Sequence, residues 1–489
     1  MINLKKGKIC FIVHDVYQSD NYFPLGIAYL ATIVQQAGYE VQIFSQDIWH
    51  QSNQELTSFL DSNNFDIIGL GFLAARYTET IRPLAKIINK YKKNAKFILG
   101  GHGVSAIPEY ILKDLKADIA VLGEGEKIIT PLIEDILNGK DFSKRDGIAV
   151  RINNEIRVNK KMSPVMDLDS IPFPDWDLFP MEKYVTCLNL PGSNANDRTL
   201  AVLTSRGCIN RCSFCYRIEQ GIRLRSIDNL FAELKILNLK YGITYFLFVD
   251  EMFIPNKNRI KEFVTMLKKL ETPIKYYCQA RVEFAKDKEI LKMLKESGCQ
   301  IINFGLESLD QNVLDLMGKR VKVEDNHIAV QNTIEVGMHP GLNFMWGNPG
   351  DSLESLDKIV NFLLKYDTLG QLRTLRPPTP YPGCPLYYKA IKDRKLTGPA
   401  DFFAKFKNSD RLTVNFTDMP DKKVYQALLD ANSILIKNYY QKKSILLNRS
   451  KEKCNKEAEE KIESFKRVYF PSSPEDLKFR GARHNVKER

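Results

Sequence analysis

The segment TSRGCINRCSFCY places Cys208, Cys212 and Cys215 in a C-x3-C-x2-C array. The chain has nine cysteines, and the other six (Cys10, Cys187, Cys278, Cys299, Cys384, Cys454) are scattered singly. Scattered cysteines do not make a disulfide framework, and in a reducing compartment a tight group binds metal. A structural zinc site has four protein ligands and a second pair downstream. None is evident, and His327 and His339 are isolated from other candidate ligands. A cube-shaped [4Fe–4S] cluster can take three thiolates and leave one iron open to chelate a further molecule. The trio follows a strand-like run, at the carboxyl end where βα barrels carry their chemistry. Phe214 stands between the second and third cysteines and supplies an apolar face.

Something must position these thiols. Residues 8 to 140 alternate short apolar runs (KICFIVHD, EVQIFS, FDIIGLGF, AKFILGG, ADIAVLGEG) with amphipathic stretches of helical length. Strand and helix periods alternating in this way predict a parallel sheet covered on both faces. Five βα units fit a flavodoxin-like doubly wound domain, assigned to residues 1–145. Residues 146–197 break the pattern. GIAVRINNEIRV predicts a hairpin turning near Asn153-Asn154, and SIPFPDWDLFP is a Pro-rich, aromatic connector. A second alternating region, 198–395, runs through LAVLTSRGC, YFLFVDEMF, IKYYCQARV, QIINFGLES, HPGLNFMWG and LGQLRTLRPPTP. Six βα units predict a sheet that curls into a partial TIM-like barrel. Residues 396–489 read as a helical, basic C-terminal region. The expected fold class is α/β, with a Rossmann-like domain followed by a partial (β/α)6 barrel and a helical tail.

At 489 residues the chain is too long for one core. Its composition is globular, 44% hydrophobic and 27% charged. No apolar run reaches membrane-spanning length, and MINLKKGKICFIVHDV lacks a signal-peptide cleavage pattern. A cytoplasmic location is expected. The net charge of +12 is concentrated toward the C-terminus. Runs of that kind are usually solvated helical faces, so no nucleic acid is expected, while peripheral contact with an anionic membrane stays open.

The array C-x3-C-x-aromatic-C resembles the signature of the radical S-adenosylmethionine (SAM) enzymes, and the likeness extends over about residues 200–390. By that resemblance Cys208, Cys212 and Cys215 hold a [4Fe–4S] cluster. Its open iron would bind the amino and carboxylate groups of SAM, and an electron would release a 5′-deoxyadenosyl radical. Further stretches follow in the family's order. Asp250 or Glu251 in FVDEMF would meet the SAM amine or ribose. Arg281 in CQARVE would pair with the SAM carboxylate, which its planar fork suits. Glu307 and Ser308 in FGLES would lie near the ribose, and Gly347 in FMWGNPGDS beside the adenine. An acidic residue at a strand end also serves as a helix cap or surface group, so order and strand-end placement carry these assignments.

In the first domain, doubly wound sheets bind ligands beyond the carboxyl ends of their strands. Gly69 and Gly71, Gly100, Gly101 and Gly103, and Gly123 and Gly125 follow the third, fourth and fifth strands there. Glycine permits close backbone approach. FPLGIAYLATIVQQAGYEV, FILGGHGVSAIPEYIL and DIAVLGEGE together resemble the N-terminal domain of cobalamin-binding radical SAM proteins. By that likeness the glycine loops cradle corrin amides and the nucleotide tail. The chain departs from D-x-H-x-x-G, whose histidine ligates cobalt: QDIWHQSN has Asp47 and His50 at another spacing and without the glycine. Base-off cobalamin without a protein ligand is compatible with this family. His14 and His102 lie at the same edge, and as lone histidines read as ordinary hydrogen-bonded loop residues.

SAM and cobalamin together imply C-methylation of an unactivated carbon through the 5′-deoxyadenosyl radical and methylcobalamin. The alternative on the same frame is a cobalamin-dependent cyclase, rearrangement or oxidative enzyme that adds no methyl. A non-catalytic cofactor-binding protein is disfavoured by the complete trio. Methylthiotransfer to tRNA needs three further N-terminal cysteines, and only Cys10 is there. The resemblance further implies an external electron donor of flavodoxin or ferredoxin type and a small-molecule or lipid-like substrate. Its catalytic contacts are not legible in these motifs.

Overall fold

A computed structural model describes residues 7–16, 23–153, 155–185, 190–253 and 256–478. The chain divides into two compact units. The first comprises Met1–Thr186, Arg198–Cys208 and Arg217–Ile243; the second comprises Cys187–Asp197, Ile209–Tyr216 and Thr244–Arg489.

The first unit carries strands β1 (Lys8–Val13), β2 (Glu40–Ser45), β3 (Ile67–Gly71), β4 (Lys96–Gly100) and β5 (Ile119–Val121). They are parallel in the order β2-β1-β3-β4-β5, the flavodoxin-like arrangement. Local sequence fixes several of the intervening helices. Ser52 and Glu55 form a reciprocal capping box that starts the helix Asn53–Ser62. The hairpin expected over GIAVRINNEIRV does form, as β6 (Ile148–Ile152) and β7 (Glu155–Val158); Asn154, named for its turn, lies outside the described residues. It extends the first sheet rather than standing apart, since β6 pairs antiparallel with β5 through Ile119↔Val150 and Val121↔Ile148. β5 is only three residues long, and the hairpin covers what would be an open edge. Ile148 and Val150 share one core with Ile9, Ile67, Ile98, Ile119 and Leu132.

The single strand expected over LAVLTSRGC is two: β8 (Thr199–Val202) and β9 (Ser205–Cys208). β9 turns away to pair antiparallel with β10 (Gly221–Leu224). The helix Ile227–Tyr241 follows, capped by Ser226 and closed by Gly242 at φ 65°.

In the second unit β11 (Tyr245–Phe248), β12 (Lys275–Ala280), β13 (Cys299–Glu307) and β14 (His339–Phe344) form a parallel sheet in the order β14-β13-β12-β11. Side chains alternate between its faces. Tyr276 and Cys278 are fully buried, and the Tyr276 ring meets Phe253 and Phe263 at 6.1 and 5.7 Å, so this face is the helix-covered one. The sixth expected strand, LGQLRTLRPPTP, shrinks to a single bridge between Met345 and Arg376. Pro377 and Pro378 follow at once and cannot donate to a ladder. The C-terminal part is helical as expected, with long helices Asp421–Leu446 and Lys451–Tyr469. Buried Asn432 ties the first of these to the barrel: its amide accepts from the Leu375 N–H (2.7 Å) and donates to the Leu375 carbonyl (3.1 Å) and to the Tyr469 hydroxyl (3.2 Å). No helix among the described residues is long and apolar enough to cross a membrane.

Candidate functional site

Cys208 ends β9, opposite Gly221 of β10. Two residues along this ribbon, Arg206 stands opposite Arg223. Two like charges directly opposed in a ribbon repel, so each must be neutralised. Both guanidiniums are met by the loop after β5. Arg223 donates to Glu124 at 2.8 and 2.6 Å, and Arg206 donates to Glu126 at 2.6 Å while lying 3.4 Å from Glu124. Glu124 also accepts from the Val165 amide at 3.0 Å, and Arg223 donates to the Val165 carbonyl. Burial alone would raise the Glu124 carboxyl, but Arg223 and Arg206 hold it below its ordinary value. The strand carrying the first cysteine is therefore fixed by carboxylates of the VLGEGE loop.

Cys212 is buried, and Phe214 and Cys215 are half-buried, in the loop that follows. The Cys215 amide donates to the Cys212 carbonyl at 3.2 Å. The loop is stapled on two sides: Ser213 N–H donates to the Met317 carbonyl (2.8 Å), and Leu386 N–H to the Ser213 carbonyl (2.7 Å). A Cβ on Gly318 would lie 3.4 Å from the Arg211 carbonyl. The same Met317–Arg320 turn reaches the strand ends. Lys319 pairs with Glu307 at 3.2 Å, and the Arg320 carbonyl accepts from Arg281 at 3.4 Å. Two of the strand-end residues read from the sequence and the cysteine loop thus converge on one turn, which sequence reasoning passed over.

The other expected SAM contacts differ in setting. Asp250 is fully buried and Glu251 exposed. Arg281 is held by Glu283, with Nε at 3.0 and 3.1 Å from its two oxygens. Glu307 sits at φ 67°, and its carbonyl accepts the Met345 amide at 3.1 Å, which sets the Gly347 loop beside it. Ser308 is fully buried, and its hydroxyl accepts the Asp310 amide at 3.2 Å. Gly347 takes φ 109°, and its amide donates to Asp351 at 3.0 Å. The Asp351 carboxylate also gathers the Asn348 amide and the Ser355 hydroxyl, which makes this loop rigid. Tyr381 and Cys384 turn the chain: the Cys384 amide donates to the Tyr381 carbonyl at 3.2 Å, and Tyr381 packs on Phe402 and Phe406.

The glycine edge of the first unit resolves into three kinds. A Cβ at Gly69, Gly103 or Gly125 would strike Phe11, Phe72 or Leu30, so these glycines serve packing. Gly101 and Gly123 have φ of 92° and 84°, which a side chain would strain. Beyond Gly100 a Cβ would meet nothing within 4 Å, and at Gly71 only the Gly100 carbonyl at 3.9 Å. This is open backbone at the carboxyl edge. Burial and the Arg76 charge push the His14 imidazole beside it down to about 4, and burial lowers His102, so both are neutral near pH 7. Asp47 and His50 are engaged elsewhere: Asp47 accepts from Tyr184 at 2.9 Å, and His50 Nδ1 lies 2.9 Å from Asp15.

The family model for the B12 binding domain matches residues 17–133, and that for the Radical SAM superfamily matches residues 202–363. "Uncharacterized methyltransferase PH0819" of Pyrococcus horikoshii is 30% identical over 379 residues, spanning 76% of this chain and 79% of its own length. The chain belongs to the cobalamin-binding radical SAM family. A second relative in the family is the cytidylyl-2-hydroxyethylphosphonate methyltransferase of Streptomyces wedmorensis, 26% identical over 391 residues, 70% of this chain and 73% of that one. The fold agrees with a solved cobalamin-dependent radical SAM enzyme, OxsB with aqua-cobalamin and SAM bound. The TM-score is 0.67 at 17% identity, covering 95% of this chain and 72% of OxsB. As a radical SAM enzyme the chain requires a substrate and a reductant.

Proposed function

We propose that this enzyme methylates an unactivated carbon of a small-molecule substrate. The observation that carries the reading is the cysteine array at the end of β9, in a chain that matches both a B12 binding domain and the radical SAM superfamily. The C-x3-C-x2-C array supplies the three thiolates that a [4Fe–4S] cluster with one open iron needs, and the open backbone at Gly71 and Gly100 fits a large planar ligand. When bound, cluster, SAM and cobalamin supply one-electron cleavage chemistry and a transferable methyl group. Cys208, Cys212 and Cys215 would hold the cluster. The domain division that goes with this reading is 1–145 for cobalamin, 146–197 as connector, 198–395 for the radical SAM core and 396–489 as helical tail.

The chain's own residues bind, orient and keep geometry. Arg281 has Nε and one terminal nitrogen committed to Glu283 and offers its other terminal nitrogen to a carboxylate. Lys319 neutralises Glu307, so that carboxylate can accept hydroxyl hydrogen bonds without an unpaired charge at the strand end. Asp351 holds the Gly347 loop in place by accepting the Gly347 and Asn348 amides. Arg206 and Arg223, locked by Glu126 and Glu124, keep the Cys208 strand from shifting. The electron would come from an external flavodoxin- or ferredoxin-type protein. Incubating reconstituted enzyme with substrate and SAM deuterated in its methyl group should give a product carrying the label. A product with no added carbon would overturn methylation in favour of cyclisation, rearrangement or oxidation.

A further inference from the structure

Parallel strands in register point their paired residues to the same face. Tyr277 pairs with Ile301 and Gln279 with Asn303; Ile301 pairs with His339, Asn303 with Gly341, and Gly305 with Asn343. Tyr277, Gln279, Asn303, His339 and Asn343 therefore share the face of β12–β14 opposite the helix-covered one. Among the described residues, the side-chain amides of Gln279, Asn303 and Asn343 make no hydrogen bond. Asn343 is exposed although Leu342 and Phe344 on either side are buried. Gln279 and Asn303 are half-buried and Asn343 is exposed, so these three carboxamides are open to an incoming ligand rather than spent on the protein's own structure. Neighbouring side chains fill the room that Gly305 and Gly341 leave: a Cβ on Gly341 would sit 1.9 Å from Asn303 Oδ1, and one on Gly305 would strike Glu307 and Lys319. The carboxamide row thus lies directly below the Glu307–Lys319 pair.

One cation stands beside β14, the strand that carries Asn343. Arg373 lies three residues before Arg376, whose backbone bridges Met345, and it donates to the Pro340 carbonyl at 3.3 Å. Among the described residues it makes no other hydrogen bond, and no carboxylate lies within 4.0 Å of it. Asp367, the acidic group whose charge it feels, is already engaged by the Leu369 amide (2.9 Å), Asn438 (3.1 Å) and Lys442 (3.7 Å). Arg373 is half-buried, and the loss of water around its guanidinium draws it down to about 10. Its charge in turn helps lower the His339 imidazole, after burial and Lys295. A guanidinium offers five donors in a fork shaped for an oxyanion.

We infer that this face is the substrate floor, and that it takes a polar substrate bearing one carboxylate or phosphate, with the oxyanion on Arg373 and the neutral hydrogen-bonding groups on Gln279, Asn303 and Asn343. The inference rests on the methylation reading for its site and narrows the substrate from small molecules at large to polar, anionic ones. A lipid-like chain would leave four polar side chains unanswered.

Full-length, anaerobically purified protein is titrated calorimetrically with inorganic phosphate and, separately, with acetate. Saturable binding of one probe is expected, and which one binds separates phosphate from carboxylate. Arg373→Gln should weaken it about tenfold or more, the loss of a charge-assisted hydrogen bond. Asn343→Asp, at an exposed position where no packing is disturbed, should weaken it as well by placing a like charge about 10 Å along β14 from the Arg373 anchor. Both variants should keep SAM binding. If neither probe binds saturably, or if both variants bind as wild type does, the floor is not an anion site. Should Arg373→Gln fail to fold, Asn343→Asp alone decides. The readout needs no methyl transfer, so failure of the methylation reading and failure of this inference are told apart.

Discussion

Replacing Glu124 by glutamine tests whether the loop after β5 holds the strand that carries Cys208. The carboxylate answers Arg223 at 2.8 and 2.6 Å, the Val165 amide at 3.0 Å and Arg206 at 3.4 Å. The Arg223 and Glu124 side chains are only 7% and 11% exposed. Breaking a buried pair from one side costs about 3–5 kcal/mol because the remaining charge is uncompensated. Here Arg223 keeps the Val165 carbonyl and glutamine keeps an acceptor, so about 3 kcal/mol is expected. For a unit of this size that is a fall of roughly 6–10 °C in melting temperature. The assay is thermal unfolding of Glu124→Gln, Arg223→Met and the double variant, with iron and sulfide per chain measured after reconstitution. The double variant should be less destabilised than the sum of the singles by at least about 1 kcal/mol, and cluster content should fall in both singles. The pH dependence supplies a sign. The folded Glu124 pKa lies below its ordinary value, so its stabilisation is present above the ordinary carboxylate range. It is lost as pH falls through that range toward the folded value. Glu124→Gln should remove that part of the acid limb. Additive singles, or a variant that melts with wild type, would refute the coupling.

Each of Cys208→Ala, Cys212→Ala and Cys215→Ala should abolish reconstituted iron–sulfur absorption and 5′-deoxyadenosine release while leaving the far-ultraviolet dichroism of the protein unchanged. Gly100→Ala, where a Cβ meets nothing within 4 Å, should melt with wild type but bind cobalamin more weakly in an absorbance titration. Gly103→Ala would press on the Phe72 ring at 2.8 Å and should cost about 1–3 kcal/mol in a melt, whatever the cofactor state. Burial raises the Asp47 carboxyl to about 6, so its favourable contribution is full below the ordinary carboxylate value and fades as pH rises through about 6. Asp47→Asn, which keeps an acceptor for Tyr184, should stabilise the protein at pH 8 by about 2 kcal/mol and flatten the stability profile between about pH 4 and pH 6.

What was legible in the sequence is what is decided locally. EVQIFS is β2 residue for residue, and NQELTSFLDS is the helix Asn53–Ser62 because Ser52 and Glu55 announce its start. The cysteine array is legible for the same reason, since its three thiols lie within eight residues. Features decided at long range were misjudged or unseen. Glu124 and Glu126 went unread beside the glycines of their loop, because their partners Arg223 and Arg206 come 99 and 80 residues later. The row formed by Gln279, Asn303 and Asn343 exists only once three strands fall into register. Periodicity also overreached at LGQLRTLRPPTP, where paired prolines stop a strand that the apolar pattern suggested.

The Met317–Arg320 turn is only four residues long, with Gly318 and Arg320 at φ 66° and 56°. It supports the cysteine loop through Ser213, the end of β12 through Arg281 and the end of β13 through Glu307. A keystone of this kind tolerates no change of length. One residue inserted or deleted would misalign three otherwise separate stretches at once, so length variation in this enzyme is expected to gather in surface turns such as that at Lys93 and to spare this one.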